Sequence, residues 1–306
     1  MRCGVCNSTE AFYIREYEGV PFCRDCFKDN FENRIRRTIS RHQMLGVNDH
    51  VALAVSGGKD SLTLLRVLSR IEKRFPESRI TAVTVDEGIG GYRTEAINIA
   101  KEQCAKLGVD HRIISFKELY RYTLDELVSE RKLSFPCSYC GVLRRKAINL
   151  IARKVEATKI ATAHNMDDEV QTYVLNMFHG DVPRIARSDP SLEDPSGMFL
   201  PRVKPLAESP EKEIVLYAHM TGIDFQTVPC PYASTALRND VRTMLNRLEM
   251  KHVGMKFAIY RSVERLRELL KNSRSDFVLN RCDSCDEPTA SNMCEACRLL
   301  NGIDVK

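Results

Sequence analysis

Val51-Ala52-Leu53-Ala54-Val55-Ser56-Gly57-Gly58-Lys59-Asp60-Ser61 is the stretch on which the reading of this 306-residue chain turns. Its first five residues form a continuous apolar run, the pattern of a strand buried on both faces. Behind it Leu62, Leu65, Leu68, Ile71 and Phe75 recur at helical spacing, and Pro76 closes the helix. A glycine turn between such a strand and such a helix is a phosphate site. Glycines let the backbone approach an anion, and the free N–H groups of the first helical turn point at it. Lys59 adds a positive charge. The spacing is not G-x-x-x-x-G-K-[ST], which argues against a kinase or GTPase. It is not G-x-G-x-x-G either, which argues against a nicotinamide dehydrogenase. The bland alternative, a chance serine/glycine turn, sits poorly with the strand–turn–helix context.

The alternation continues outward. Residues 80–85, 111–116 and 159–163 read as strands. Residues 94–107 (with Gly108 as C-cap), 117–131, 140–155 and 167–178 read as helices. This predicts an α/β fold, a Rossmann-like parallel sheet with helices on both faces. Residues 180–212 read as surface loop, 211–221 as a helix, 225–228 as a short strand and 236–271 as helical. The expected division is a cysteine module over 1–30, a linker helix over 31–48, a nucleotide-binding unit over 49–275 and a second cysteine module over 276–306. Ligands of such sheets meet the carboxyl ends of the strands. Asp86 stands at one of these ends. His164, Asn165 and Asp167 stand at another, within His164-Asn165-Met166-Asp167-Asp168-Glu169. Helix capping and the helix dipole explain part of that acidic segment. Its place opposite the glycine turn favours a catalytic or magnesium role for Asp167.

Hydrophobic residues make up 43% and charged residues 28%, values that exclude a disordered chain. No run of about 18 apolar residues predicts a membrane span, and the start of the chain has no secretory h-region, so the expected compartment is the cytosol. The net charge of +5 is unevenly spread. Basic residues gather at 34–42, at 144–154 and at 251–274, the last including Lys271 and Arg274. Such clusters are the footprint of phosphate-backbone contact, or else solvated helix faces.

Ten of the twelve cysteines form C-x-x-C pairs. Cys3/Cys6 with Cys23/Cys26, and Cys282/Cys285 with Cys294/Cys297, suit two closed four-cysteine zinc sites that lend folding energy to short segments. Cys137 and Cys140 precede a basic helix, and Cys230 lies far downstream. Three thiolates are one too few for a closed site. They could hold an iron–sulfur cluster with one open iron, form a redox disulfide or persulfide, or join a histidine on zinc. Cys104, on an apolar helix face, reads as core.

Ser56-Gly57-Gly58-Lys59-Asp60-Ser61 resembles the SGGxDS signature of the PP-loop ATP pyrophosphatases, which hold the pyrophosphate of ATP and transfer AMP to a substrate oxygen. Together with Cys137-Ser138-Tyr139-Cys140-Gly141, the distant Cys230, the segment from His164 to Asp168 and the two terminal cysteine modules, the chain resembles the tRNA 2-thiouridine synthetases of the TtuA/NcsA group. That resemblance implies a sulfurtransferase using ATP and Mg2+, two Zn2+ and a 4Fe–4S cluster on Cys137, Cys140 and Cys230. It implies ATP contacts from Ser56 to Ser61, Asp86, His164 and Asn165, and a catalytic set of Lys59, Asp60, Arg144 and Asp167. Arg144 stands where some members have lysine, and arginine cannot give up its proton, so anion stabilisation fits it better than proton transfer. The implied partners are tRNA, either a thiocarboxylated ubiquitin-like carrier or free sulfide, and a second copy of the chain. A 2-thiocytidine enzyme, an amidating PP-loop ligase and a zinc RNA-binding protein without catalysis are the alternatives.

Overall fold

The computed structural model describes residues 1–133, 135–192, 197–233, 237–270 and 279–302. The chain opens with a hairpin, β1 (Tyr13–Arg15) and β2 (Val20–Phe22), followed by α1 (Arg24–Arg41). The central unit runs β3 (His50–Ala54), α2 (Lys59–Glu72), β4 (Arg79–Asp86), α3 (Arg93–Leu107), β5 (Asp110–Ser115), α4 (Phe116–Tyr120), α5 (Leu124–Arg131) and α6 (Pro136–Lys154). It continues through β6 (Lys159–Ala161), α7 (Met166–Phe178), α8 (Val182–Ala186), β7 (Ser191–Leu192), β8 (Arg202–Val203), α9 (Glu211–Met220), α10 (Leu237–Lys251) and α11 (Met255–Leu270). A second small hairpin, β9 (Asn280–Arg281) and β10 (Pro288–Thr289), and α12 (Glu295–Leu300) end the described chain.

The main sheet has the order β5-β4-β3-β6-β8-β7, parallel except for the edge strand β7. Strand order reverses between β3 and β6. There the connections leave toward opposite sides and open a crevice at the carboxyl edge. The inner strands β3 and β4 are buried along nearly their whole length, on both faces, because helices cover both sides. Val51 and Leu53 face a core built with Leu62, Leu65 and Leu68 of α2 and Ile214 and Tyr217 of α9. Ala52 between them faces Ile151 and Ala152 of α6.

Several expectations shift. The helix expected to begin near residue 140 starts at Pro136, so Cys137 and Cys140 lie in its first turns. The 117–131 helix is two, broken at Arg121 with φ of 67°. The 236–271 stretch divides between α10 and α11 at Gly254, where φ is 89°. Residues 225–228 form no strand, and the 180–212 loop contains α8 and two strands. The linker helix begins seven residues early, inside the cysteine segment. Lys271, Arg274, the end of the 236–271 stretch and the 275/276 boundary lie outside the described residues. No described helix is long and apolar enough to cross a membrane.

The first segment is fastened to the sheet by charge. Arg15, buried to 1% exposure, donates to both oxygens of Glu213 at 2.8 and 2.9 Å. Arg34 of α1 (3.0 Å) and the Tyr17 hydroxyl (2.6 Å) join the same carboxylate. A buried carboxylate with this many donors is held firmly in place.

Candidate active site

The turn after β3 has the shape its glycines allow. Gly57 has φ of 86°, and a Cβ there would lie 2.3 Å from the Ala96 carbonyl oxygen of α3. Gly58 is the N-cap of α2, so Lys59, Asp60 and Ser61 form its first turn. The Ser61 hydroxyl donates to the Gly58 carbonyl (2.9 Å) and accepts from the Ser56 N–H (3.1 Å), which closes the turn on itself. Lys59 Nζ lies 2.9 Å from Asp60 and 2.8 Å from Glu211, at the start of α9. Burial pulls its pKa down, but those two carboxylates outweigh it and the net shift is upward.

Opposite the turn, Asn165 caps α7. Its side chain accepts from the Asp168 N–H, Asp168 accepts from the Asn165 N–H, and the Asn165 amide donates to Asp60 at 3.1 Å. One cap thus joins the two lips of the crevice. Asp167 is 5% exposed and turned away from it: it pairs with Lys256 of α11 and accepts the Glu211 N–H at 2.7 Å. Asp168 is the acid on the crevice side. Burial first, and the nearby Asp60 charge, push its pKa up to about 6 against the opposing pull of Asn165 and Arg238. His164 stands beside Asn165, its Nδ1 2.9 Å from the Thr162 hydroxyl. Depletion of water by the surrounding walls, then Lys204, Arg144, Arg238 and Arg202, hold it down to about 3, so the ring is neutral. A neutral ring ringed by cations suits an anionic ligand. Asp86 turns back on its own loop, accepting from the Gly88 N–H at 2.9 Å.

The three mid-chain cysteines converge beside this crevice. The Cys137 thiol donates to the Tyr232 carbonyl at 3.1 Å. Cys140 and Cys230 border the same apolar cluster as Leu143 and Val85. Burial, opposed by Arg144 and reinforced by Glu87, Cys230 and Cys137, pushes the Cys140 thiol up to about 12. A mononuclear zinc site, with Zn–S of about 2.3 Å, holds its sulfurs about 3.8 Å apart. The two terminal four-cysteine sets have all sulfurs within 4.8 Å of one another, and Cys137, Cys140 and Cys230 do not form such a set.

Residues without a sequence motif connect these parts. Arg93, 5% exposed, donates to the Ser56 carbonyl at 2.8 Å and pairs with Glu87 at 2.7 Å. Glu87 lies 3.6 Å from Arg144, one turn after Cys140 on α6. Gln226 donates from its N–H to the Gly57 carbonyl at 3.0 Å and from its side chain to the Tyr92 carbonyl at 2.6 Å. A lone arginine or glutamine carries no periodic signal, so only the fold reveals these roles.

Comparison with known proteins gives the family and the fold. Residues 27–249 match the PP-loop domain family. The chain is 34% identical over 320 residues to the tRNA 2-thiolation protein NcsA of Haloferax volcanii, with 99% of each chain covered. The chain belongs to the NcsA family of PP-loop proteins. Another relative is cytoplasmic tRNA 2-thiolation protein 1 of Saccharomyces cerevisiae, 35% identical over 99% of this chain and 86% of its own. The solved structure of the U34-tRNA thiolase NcsA from Methanococcus maripaludis with its [4Fe-4S] cluster superposes with a TM-score of 0.86. It is 34% identical, with 100% of this chain and 97% of that chain covered. As the NcsA resemblance implies, Cys3, Cys6, Cys23 and Cys26 form one compact set, and Cys282, Cys285, Cys294 and Cys297 another. In this NcsA family member both sets have the compactness of a tetrahedral metal site.

Proposed function

We propose that the protein is an ATP-dependent tRNA sulfurtransferase that adenylates O2 of a uridine and exchanges it for sulfur. The observation that carries this reading is the chain of contacts Ser56–Arg93–Glu87–Arg144, which runs from a pyrophosphate-binding turn to α6, where Arg144 stands one turn after Cys140. A nucleotide site alone would need no such thiols, and a zinc RNA-binding protein would need no such turn.

The phosphates of ATP lie against the N–H groups of residues 56–61 and Lys59, aligned by the start of α2. Asp60 and Asp168 are the carboxylates that would hold Mg2+. The target uridine leaves its stack to reach the crevice. Its O2 attacks the α-phosphorus and pyrophosphate departs. Sulfide then adds at C2, and the C2–O2 bond breaks as AMP leaves with the oxygen. Arg144, permanently charged, stabilises the anions formed on the base and on the α-phosphate. His164, neutral through its surroundings, donates or accepts a hydrogen bond without adding charge. Cys137, Cys140 and Cys230 would hold the cluster; when bound, it supplies an iron without a protein ligand, a place for sulfide. Sulfur arrives as free sulfide or on a thiocarboxylated carrier protein, and two copies of the chain form the working unit.

Anaerobic reconstitution tests the reading. Cys137→Ala and Cys230→Ala are expected to lose iron and acid-labile sulfide while keeping zinc, and to form no 2-thiouridine on tRNA. Full iron in both variants, or 2-thiouridine made at the parent rate, would overturn it.

A further inference from the structure

The C-terminal four-cysteine set differs from the N-terminal one in what surrounds it. Lys146 of α6 points its ammonium at three of the four sulfurs: Cys285 at 3.0 Å, Cys297 at 3.7 Å and Cys294 at 4.0 Å. The fourth sulfur, Cys282, accepts the Cys294 N–H at 3.2 Å. At the N-terminal set, hydroxyl groups of Ser8 (3.2 Å) and Thr9 (3.4 Å) approach Cys6 instead. Four thiolates around a divalent ion leave a net charge of two minus, and a partly buried site needs a cation to balance it. Lys146 lies six residues after Cys140 on the same helix. Further ties reach the same region. Arg153 of α6 pairs with Glu287 at 2.7 Å, and Arg131 of α5 donates to the Leu299 and Leu300 carbonyls, both at 2.5 Å. Cys282, Cys294 and Cys297 are buried in the same cluster as Leu143 and Ala147, with Cys140 and Cys230 packed against it.

We propose that Lys146 is the charge-balancing partner of the C-terminal metal site, and that through it this metal fixes α6, the helix bearing Cys137, Cys140 and Arg144. Lys146 is a positioning residue: it acts on the sulfurs and the helix, not on a substrate. The C-terminal knuckle is therefore part of the support of the thiol site as well as a folding aid, whereas the N-terminal set supports α1.

The test uses the full chain with cobalt in both four-cysteine sites and no iron. A hydrogen bond to thiolate lowers the energy of its lone pairs, so losing one moves the sulfur-to-cobalt charge-transfer band to longer wavelength. In Lys146→Met the band is expected to shift this way, and one of the two metals to pass to a chelator about ten-fold faster, as for other outer partners of metal ligands. Alkylation of Cys140, followed by peptide mass spectrometry, should accelerate with it. Lys146→Arg, which keeps the charge, should restore most of each effect. Cys26→Ser should release one metal yet leave Cys140 alkylation at the parent rate. An unshifted band with unchanged release in Lys146→Met overturns the proposal, and so does Cys140 alkylation raised equally by Cys26→Ser. If Lys146→Met does not fold, stepwise chelation of the parent chain decides. Cys140 must become reactive as metal leaves the 282–297 peptide, and reactivity that follows the 3–26 peptide instead sinks the idea. Because no readout involves iron, failure here is distinct from failure of the cluster reading.

Discussion

Single residues set the chemistry by where they point. Gly57 combines a left-handed φ with a backbone carbonyl in the space a methyl group would take, so Gly57→Ala must move either the turn or α3. We expect at least ten-fold weaker ATP binding together with a loss of about 1–3 kcal/mol in stability, read by nucleotide titration and by denaturant melts. Asp167 and Asp168 are expected to separate function from stability. Asp167→Asn leaves Lys256 without its buried counter-charge and should cost about 3 kcal/mol, with the residual folded protein still binding ATP. Asp168→Asn should melt at or above the parent temperature at neutral pH yet lose activity. The pH dependence follows from the raised value of about 6. Between the ordinary carboxylate range and pH 6 the native state holds a proton that the unfolded chain has lost. This group therefore favours folding at low pH, and its contribution is lost as pH rises through 6. The stability difference between parent and Asp168→Asn should widen over that rise, while activity needing the ionised form falls below pH 6. A stability difference independent of pH from 4 to 7 would contradict the assignment. The choice between neighbouring acids was not legible in the sequence, because helix phase decides it. The signal present was Asn165 followed three residues later by Asp168, a reciprocal cap whose third-position acid lies at the helix mouth.

At the scale of elements, the readable parts were those with strong periodicity. Residues 51–55 are apolar without alternation because helices cover both faces, and the pattern alone reported it. The start of α6 was misplaced because Cys137-Ser138-Tyr139-Cys140-Gly141 has no apolar repeat. Pro136 at the first helical position was the available sign. The break at Arg121 puts an arginine in the left-handed region, and the available sign was Thr123 followed three residues later by Glu126, the capping box that starts α5. Glu213 of α9 gathers Arg15, Arg34 and Tyr17. Glu213→Ala should cost about 3 kcal/mol by leaving Arg15 and Arg34 only the half-exposed Glu18 as counter-charge, and should raise proteolysis within residues 1–30 before the sheet unfolds. Limited proteolysis with mass mapping measures this, and simultaneous cutting throughout the chain would contradict it.

For the molecule as a whole, the fold class and the cysteine groupings were written in the chain, because both rest on local spacing. The convergence of Cys230 with Cys137 and Cys140 was legible only through the family resemblance, since the intervening residues carry no local signal for where the return falls. Metal dependence should be divided between the two ends. Chelation under reducing conditions is expected to remove two ions with different kinetics, the one beside Lys146 more slowly, since the ammonium offsets the repulsion among its thiolates. Release in a single phase with one rate constant would count against that division. Tight tRNA association should weaken steeply with salt if the cations near His164 meet phosphates, and a flat salt response in a filter-binding assay would remove the nucleic acid from this face.

Lys59 is gripped on two sides, by its neighbour Asp60 and by Glu211 from a separate helix. A triphosphate reaching it must therefore swap places with an internal carboxylate rather than dock onto a bare charge. Glu211, once released from Lys59, keeps Arg242 of α10 at 3.0 Å, and it shares the first turn of α9 with Glu213, which fastens the hairpin at the beginning of the chain. Nucleotide on the turn is therefore expected to reach that hairpin through α9, and a fluorescent label near Tyr13 should register ATP that it never touches.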